Sequence, residues 1–111
     1  MESQRQKRIN KLLQKDLGEI LQRESPNKFL RAMITVTQVK VTSDLPIARV
    51  YLSIFGADTQ KVMEQIKLHT SEIRKQLGLR VKNQLRHVPE LQFFVDDSLD
   101  YIENIEKLLK K

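Results

Sequence analysis

LRHVPELQFFVDDSLDY, residues Leu85–Tyr101, passes from a basic segment through a proline into an apolar run that stops at two aspartates. Proline fixes its own φ and biases its predecessor away from helix, so Val88-Pro89-Glu90 reads as an extended corner. Leu91–Val95 then reads as a short strand. Its apolar residues fall on both faces, which predicts a strand that is central or covered by helices. Asp96-Asp97 suggests a magnesium site at first sight. Neighbouring strand residues point to opposite faces, however, so strand termination and helix capping is the simpler reading. Asp97 or Ser98 is expected to open a last helix carrying Tyr101, Ile102, Ile105, Leu108 and Leu109 on one face.

Upstream of this stretch, Ile73, Leu77, Val81 and Leu85 stand four apart, as on one face of a helix. An earlier helix carries Val62, Met63 and Ile66, with Asp58 or Thr59 as its cap. His69-Thr70-Ser71 interrupts the pattern, and two helices meeting at a kink fit better than one long rod. Ser71 is expected to cap the second. Before them, Ile34–Thr42 and Ala48–Phe55 are dense in β-branched residues, with Ser43-Asp44-Leu45-Pro46 as the turn of an antiparallel pair. Ile34 and Val36 are out of phase with Val39 and Val41, which predicts a bulge near Thr37-Gln38. The N-terminal stripe Ile9, Leu12, Leu13, Leu17, Ile20 and Leu21 predicts a helix from about Ser3 to Gln22, ended by Ser25-Pro26-Asn27. The expected order is α-β-β-α-α-β-α, an α+β domain with helices over one face of a three-stranded sheet, occupying residues 1–111 as one unit.

Charge narrows the function. The chain of 111 residues carries a net +6 and has a pI near 9.7, which favours a polyanionic partner. Residues 1–31 hold eight Lys/Arg against four acids and residues 67–90 hold six against two, whereas residues 91–111 hold five acids against three bases. The absence of cysteine excludes disulfides and thiolate metal sites and suits a reducing compartment. No apolar run reaches the roughly 18 residues of a membrane span. A cytoplasmic protein is the expectation.

On the first helix Lys7, Lys11 and Lys15 form an i, i+4 ladder with Arg8 beside it, opposite the apolar stripe. Such a ladder repels itself unless phosphates neutralise it. On the later helix, which the pattern carries through Leu85, Lys75, Lys82 and Arg86 share one flank of the apolar stripe, leading into His87. Arg74 and Arg80 lie elsewhere around it. Tyr51, Phe55, Phe93 and Phe94 fall in predicted strands and are expected in the core, so RNA contact should rely on charge and shape rather than base stacking. His69 and His87 are the only histidines, and no HExxH, GxSxG, P-loop or GxGxxG pattern occurs. No catalytic residue, metal, cofactor or small-molecule substrate is expected.

The predicted order resembles the type II KH fold, although Gly18, Gly56 and Gly78 are the only glycines and no GxxG clamp exists. More specifically, SDLPIARVYLSIF (Ser43–Phe55) and LRHVPELQFFVDDS (Leu85–Ser98), with EIRKQLGLRV (Glu72–Val81), resemble the bacterial ribosome-binding factor A family over nearly the whole chain. The resemblance implies a non-enzymatic assembly factor. It would bind the immature small ribosomal subunit, assist late maturation of its rRNA and support growth in the cold. No long hydrophobic seam requires a dimer, and a monomer is expected. That family replaces GxxG by a kinked helix pair with an Ala-x-Gly interruption, matched here by His69, Thr70 and Ser71. The resemblance also implies rRNA contact by Arg74, Lys75, Arg80, Lys82 and Arg86. A general nucleic-acid module and a protein adaptor using the C-terminal helix are the alternatives.

Overall fold

Ser3 starts the first helix by a reciprocal cap. Its Oγ accepts from the Gln6 amide at 3.1 Å, and the Gln6 side chain accepts from the Ser3 amide at 2.8 Å, so two otherwise orphaned donors are satisfied. The computed structural model describes residues 2–96, and the expected C-terminal helix lies outside that range. The order is α1 (Gln4–Lys28), β1 (Met33–Val41), β2 (Ile47–Phe55), α2 (Thr59–Leu68), α3 (Thr70–Val81) and β3 (Glu90–Val95). This is an α+β arrangement of three helices and one three-stranded sheet among the described residues.

α1 runs beyond its expected end near Gln22 and takes Pro26 into its last turns. Proline there removes one amide donor, and the buried Ser25 secures the helix end just beyond it. Its carbonyl accepts from the amides of Phe29 and Arg31, both at 3.0 Å, and its hydroxyl donates to the carbonyl of Ala32. Leu30 and Arg31 then turn the chain with φ of 58° and 60°.

β1 and β2 pair antiparallel, with Val36 opposite Leu52 and Gln38 opposite Tyr51. Thr37 is therefore the extra residue of the expected bulge. By absorbing the phase error it keeps Ile34, Val36, Val39 and Val41 on one buried face. That face and the apolar stripes of the helices form the core, with Leu13, Leu17, Ile20, Leu21, Leu52 and Leu77 fully buried. Each such side chain contributes roughly 1.5–3 kcal/mol of transfer free energy.

β3 pairs parallel with β2, and the sheet order is β1-β2-β3. The strand is thus at an edge rather than central. Only Leu91 and Phe93 face the core, while Phe94 and Val95 are 41% and 42% exposed. The aromatic residues divide accordingly. Phe93 is buried and Phe55 is 59% exposed. Tyr51 is half-buried and stacks on Phe94 with ring centroids 5.5 Å apart. The expectation that all four enter the core fails because, among the described residues, only one face of the sheet carries helices.

The helix pair breaks at His69, between α2 and α3. Asp58 caps α2 as expected, its carboxylate accepting from the Lys61 amide at 3.0 Å. Ser71 does not cap α3. It is exposed within the first turn, and the N-cap position belongs to His69, whose side chain makes no cap. The break is held instead by side chains bonding to the end of α2. The Thr70 hydroxyl reaches the Ile66 and Lys67 carbonyls at 3.1 and 3.0 Å. His69 Nδ1 lies 2.8 Å from the Gln65 carbonyl, and its ring meets Phe29 edge-on at 5.9 Å.

α3 ends at Val81, short of the expected Leu85, and the Val81 carbonyl accepts from the amides of Gln84 and Leu85, both at 2.8 Å. The reason lies further along the chain. Arg74 donates from Nε to the Pro89 carbonyl at 3.1 Å and from Nη2 to the Val88 carbonyl at 2.7 Å. A continued helix would carry Val88 about 21 Å from Arg74, so residues 82–87 must double back. Gly78 leaves room for the returning segment, since a Cβ there would stand 3.2 Å from Val88 Cγ2.

β1 has one paired and one free edge, and α1 covers the free one with a row of amide side chains. Gln6 donates to the Val41 carbonyl at 3.3 Å, and Asn10 accepts from the Val41 amide at 2.9 Å. Gln14 donates to the carbonyls of Val36 and Thr37 at 3.1 and 3.3 Å, and Gln22 accepts from the Ile34 amide at 3.1 Å. Asn10→Ala and Gln14→Ala should each cost about 1 kcal/mol in urea unfolding, whereas Lys11→Ala, on the neighbouring exposed row, should stay within about 0.5 kcal/mol.

Candidate nucleic-acid interface

The amide row fixes the rotation of α1 and thereby the position of its cations. Lys7, Lys11 and Lys15 each follow by one residue a side chain bound to β1, so all three stand exposed beside the sheet edge. They line a shallow groove between α1 and β1. Lys11 and Lys15 flank one part of it with Ile34, Thr35 and Val36. Lys7, Arg8 and Lys11 flank the next part with Gln38 and Val39.

Around the N-terminal end of α1 the basic surface continues. Arg5 and Arg8 line a depression with Ile9, Leu12 and Gln84. Arg5 also lines a second one with the Asp44-Leu45-Pro46 turn, Leu85, Arg86 and His87. The doubled-back segment 82–87 thus brings Arg86 and His87 to Arg5, and Gln84 to Arg5 and Arg8. Arg5 was missed by the sequence reading because it belongs neither to the lysine ladder nor to the apolar stripe. Its place is set by a loop more than seventy positions later, which no local pattern reveals. None of Arg5, Lys7, Arg8, Lys11, Lys15, Lys75, Lys82 and Arg86 has a carboxylate within ion-pair distance among the described residues.

The expected Lys75/Lys82/Arg86 helix face is not formed. Lys75 is exposed on α3, Lys82 is its C-cap and Arg86 lies in the loop beyond. Arg74 and Arg80 are committed to partners within the fold. Arg74 holds the Val88 and Pro89 carbonyls. Arg80 donates to Asp16 at 3.3 Å and to Glu19, forming the end of a polar zipper between α1 and the antiparallel α3. In the middle of that zipper, Gln76 accepts from Arg23 and donates to Glu24 at 3.1 Å. At its other end Lys28 bridges Glu24, at 3.4 Å, and Glu72. These arginines position the surface, and its free cations lie elsewhere. His69 is half-buried at the helix break with Thr70, and Ser71 is exposed next to them.

The zipper shifts its own titrations. The hydrogen bond from Arg80 holds the Glu19 carboxyl below its usual range, and the bond from Gln76, aided by Lys28, does the same for Glu24. Bonding to Glu72 raises Lys28, and bonding to Glu19 and Asp16 raises Arg80.

Together these features define a small α+β module with cations displayed along one helix and a neighbouring loop. The ribosome-binding factor A family model matches residues 5–109. The chain belongs to that family. It is 51% identical to ribosome-binding factor A of Flavobacterium johnsoniae over 98% of this chain and 85% of that one. With the Cytophaga hutchinsonii protein of the same name it is 38% identical over 100% of this chain and 84% of that one. Among solved structures, the Thermus thermophilus ribosome-binding factor A crystal structure superposes with a TM-score of 0.70 at 20% identity, covering 81% of this chain and 94% of that one. A homology model of the Thermus protein, fitted into a cryo-EM map of its complex with the 30S subunit, gives 0.60 at 22% identity, covering 78% and 93%. These two likenesses show the fold.

Glu19 and Glu24 bind protons more readily in the unfolded chain than in the fold, so the stability they add is complete above the unfolded carboxylate range. It is lost as pH falls through their lower folded values. Arg80→Met should flatten this acid limb of stability, read as urea midpoints between about pH 6 and pH 3. Lys75→Met, at a residue with no carboxylate within ion-pair distance among the described residues, should leave the limb unchanged.

Proposed function

We propose that this protein is a ribosome assembly factor that binds the immature small ribosomal subunit and assists late maturation of its rRNA. It acts by docking rather than by chemistry, as a cytoplasmic monomer with residues 1–111 forming one domain. The observation that carries the reading is membership of the ribosome-binding factor A family over residues 5–109, whose Thermus member has been fitted into a 30S complex. The basic surface supports the choice of partner and of face. Lys15, Lys11, Lys7 and Arg8 follow the α1 groove, and Arg5, Arg86 and His87 extend it around the helix end. Lys75 and Lys82 are exposed cations on and after α3 that would add contacts along the same rRNA.

In this reading the helix and loop accept phosphates along an rRNA segment, and counterion release supplies much of the affinity. Holding that segment in one arrangement biases which conformation the maturing subunit populates. Arg74 and Arg80 contribute indirectly, by fixing the loop and the helix pair that carry the free cations. The helix break at His69-Thr70-Ser71 takes the place of a GxxG clamp.

The combined Lys7→Glu, Lys11→Glu and Arg86→Glu variant should keep its circular dichroism and urea midpoint near those of the wild type. Its cosedimentation with immature small subunits should fall at least tenfold. The slope of log affinity against log salt should become shallower by roughly 0.7–0.9 for each phosphate contact removed. Unchanged cosedimentation and slope would reject this face as the docking surface. Cells lacking the protein that nonetheless process small-subunit rRNA normally would reject the maturation role.

A further inference from the structure

Among the described residues, helices α1–α3 and the buried side chains of all three strands lie on one side of the sheet. The other side carries a different set in register. Gln38, Tyr51 and Phe94 form one cross-strand row, and Lys40, Arg49 and Gln92 form the next. Tyr51 and Phe94 stack with their ring planes 28° apart, and Phe94 remains 41% exposed beyond that stack. The Thr37 hydroxyl at the bulge lies 3.2 Å from the Tyr51 carbonyl and 2.6 Å from the Asp96 carboxylate, tying all three strands together beside the aromatic pair.

Two features select the occupant. Lys40 and Arg49 are directly opposed across β1 and β2, and like charges in that position destabilise a sheet. No carboxylate among the described residues lies within ion-pair distance of either. The arrangement becomes favourable when an external anion lies between them. The second feature is continuity. Gln38 lines the groove with Lys7, Arg8 and Lys11 and also opens the Tyr51–Phe94 row. A strand lying in the α1 groove and crossing β1 therefore arrives on the aromatic pair. Aromatic rings with flanking cations suit unpaired bases and their phosphates, because every base has a face to stack and single strands can splay their bases outward.

We infer that the open sheet face is a second RNA-binding surface, on which unpaired bases stack on Phe94 and Tyr51 while Lys40 and Arg49 take the adjacent phosphates. The inference rests on the reading that the partner is rRNA and adds a different mode to it: the α1 groove accepts backbone, and the sheet accepts single-stranded bases. It reverses the expectation that base stacking plays no part.

The test uses the full-length protein and two labelled RNAs, a short oligouridylate and a blunt hairpin without single-stranded ends, followed by fluorescence anisotropy. Phe94→Leu keeps apolar bulk at an exposed position and removes the ring, and Arg49→Gln removes one cation. Each should weaken oligouridylate binding roughly tenfold while leaving the hairpin within about twofold, the scale of one lost base stack. Phe94→Trp should bind oligouridylate with quenched tryptophan fluorescence and show no quench with the hairpin. Wild-type affinity in Phe94→Leu together with an unquenched Phe94→Trp overturns the inference. Concentration-dependent self-association that Phe94→Leu abolishes would also overturn it, by assigning the face to a second copy of the chain. A wild-type protein that binds small subunits but not oligouridylate defeats this inference alone, whereas one that binds neither defeats the rRNA reading as well.

Discussion

The free edge of β1 is the constraint on which the arrangement depends. A three-stranded sheet with β1 at its margin presents a row of backbone donors and acceptors that would otherwise invite another chain. Here α1 lies along that margin, and Gln6, Asn10, Gln14 and Gln22 satisfy the amides and carbonyls of Ile34, Val36, Thr37 and Val41. Apolar burial brings a helix to a sheet but leaves its rotation loosely set. Directional bonds near 3 Å define the rotation closely. Because the amides and lysines alternate along the same stretch of α1, closing the sheet edge also turns Lys7, Lys11 and Lys15 outward. One set of bonds serves both solubility and display.

The basic residues separate by the chemistry of their heads. Arg74 and Arg80 each engage two oxygen acceptors, a use suited to a planar guanidinium with several fixed donors. Most of the free cations on the α1 groove are lysines, whose compact charge on a flexible stem follows phosphate without fixed geometry. Three arginines join the surface: Arg8 on α1, and Arg5 and Arg86, which meet where the chain doubles back after α3 and Arg74 holds the Val88 and Pro89 carbonyls. Net charge therefore overstates the number of binding groups, since part of it is spent within the scaffold.

Much of the scaffold is legible in the sequence wherever the determinant is local and periodic. The phase error between Ile34-Val36 and Val39-Val41 locates the bulge, and Asp58-Thr59 marks the start of α2, of which Asp58 is the cap. Other features escaped for identifiable reasons. Leu85 keeps the four-residue spacing of the α3 stripe and is buried, yet a turn places it there. Spacing alone does not distinguish a continuing helix from a reversal that returns the same side chain to the core. Pro26 suggests an early stop, yet α1 runs through it to Lys28 and is closed by bonds from Ser25 to residues downstream. Phe94 was assigned to the core because an edge strand with one covered face and a central strand have the same composition over five residues. The Arg80 carboxylate partners lie more than sixty positions away. The amide row did leave a signal: neutral polar side chains at positions 6, 10, 14 and 22, bordering an apolar stripe, mark a helix face bound to backbone rather than to water.

The same edge logic explains why the two sides of the sheet differ in what they can recognise. The covered side supports α1, whose outer cations stand on a rigid backbone beside the sheet edge. On the open side, side chains stand directly on the pleat, and alternation along β2 sends Arg49 and Tyr51 out while Ala48, Val50 and Leu52 go in. A cation row beside an aromatic row follows from that alternation once the neighbouring strands supply Lys40 and Phe94. The bulge at Thr37 is what brings Gln38 opposite Tyr51. Without it the register would slip by one, and the buried valines and the exposed polar residues of the second half of β1 would exchange faces. The irregularity in the strand is therefore the feature that joins the α1 groove to the aromatic face, since it sets Gln38, which lines the groove, opposite Tyr51.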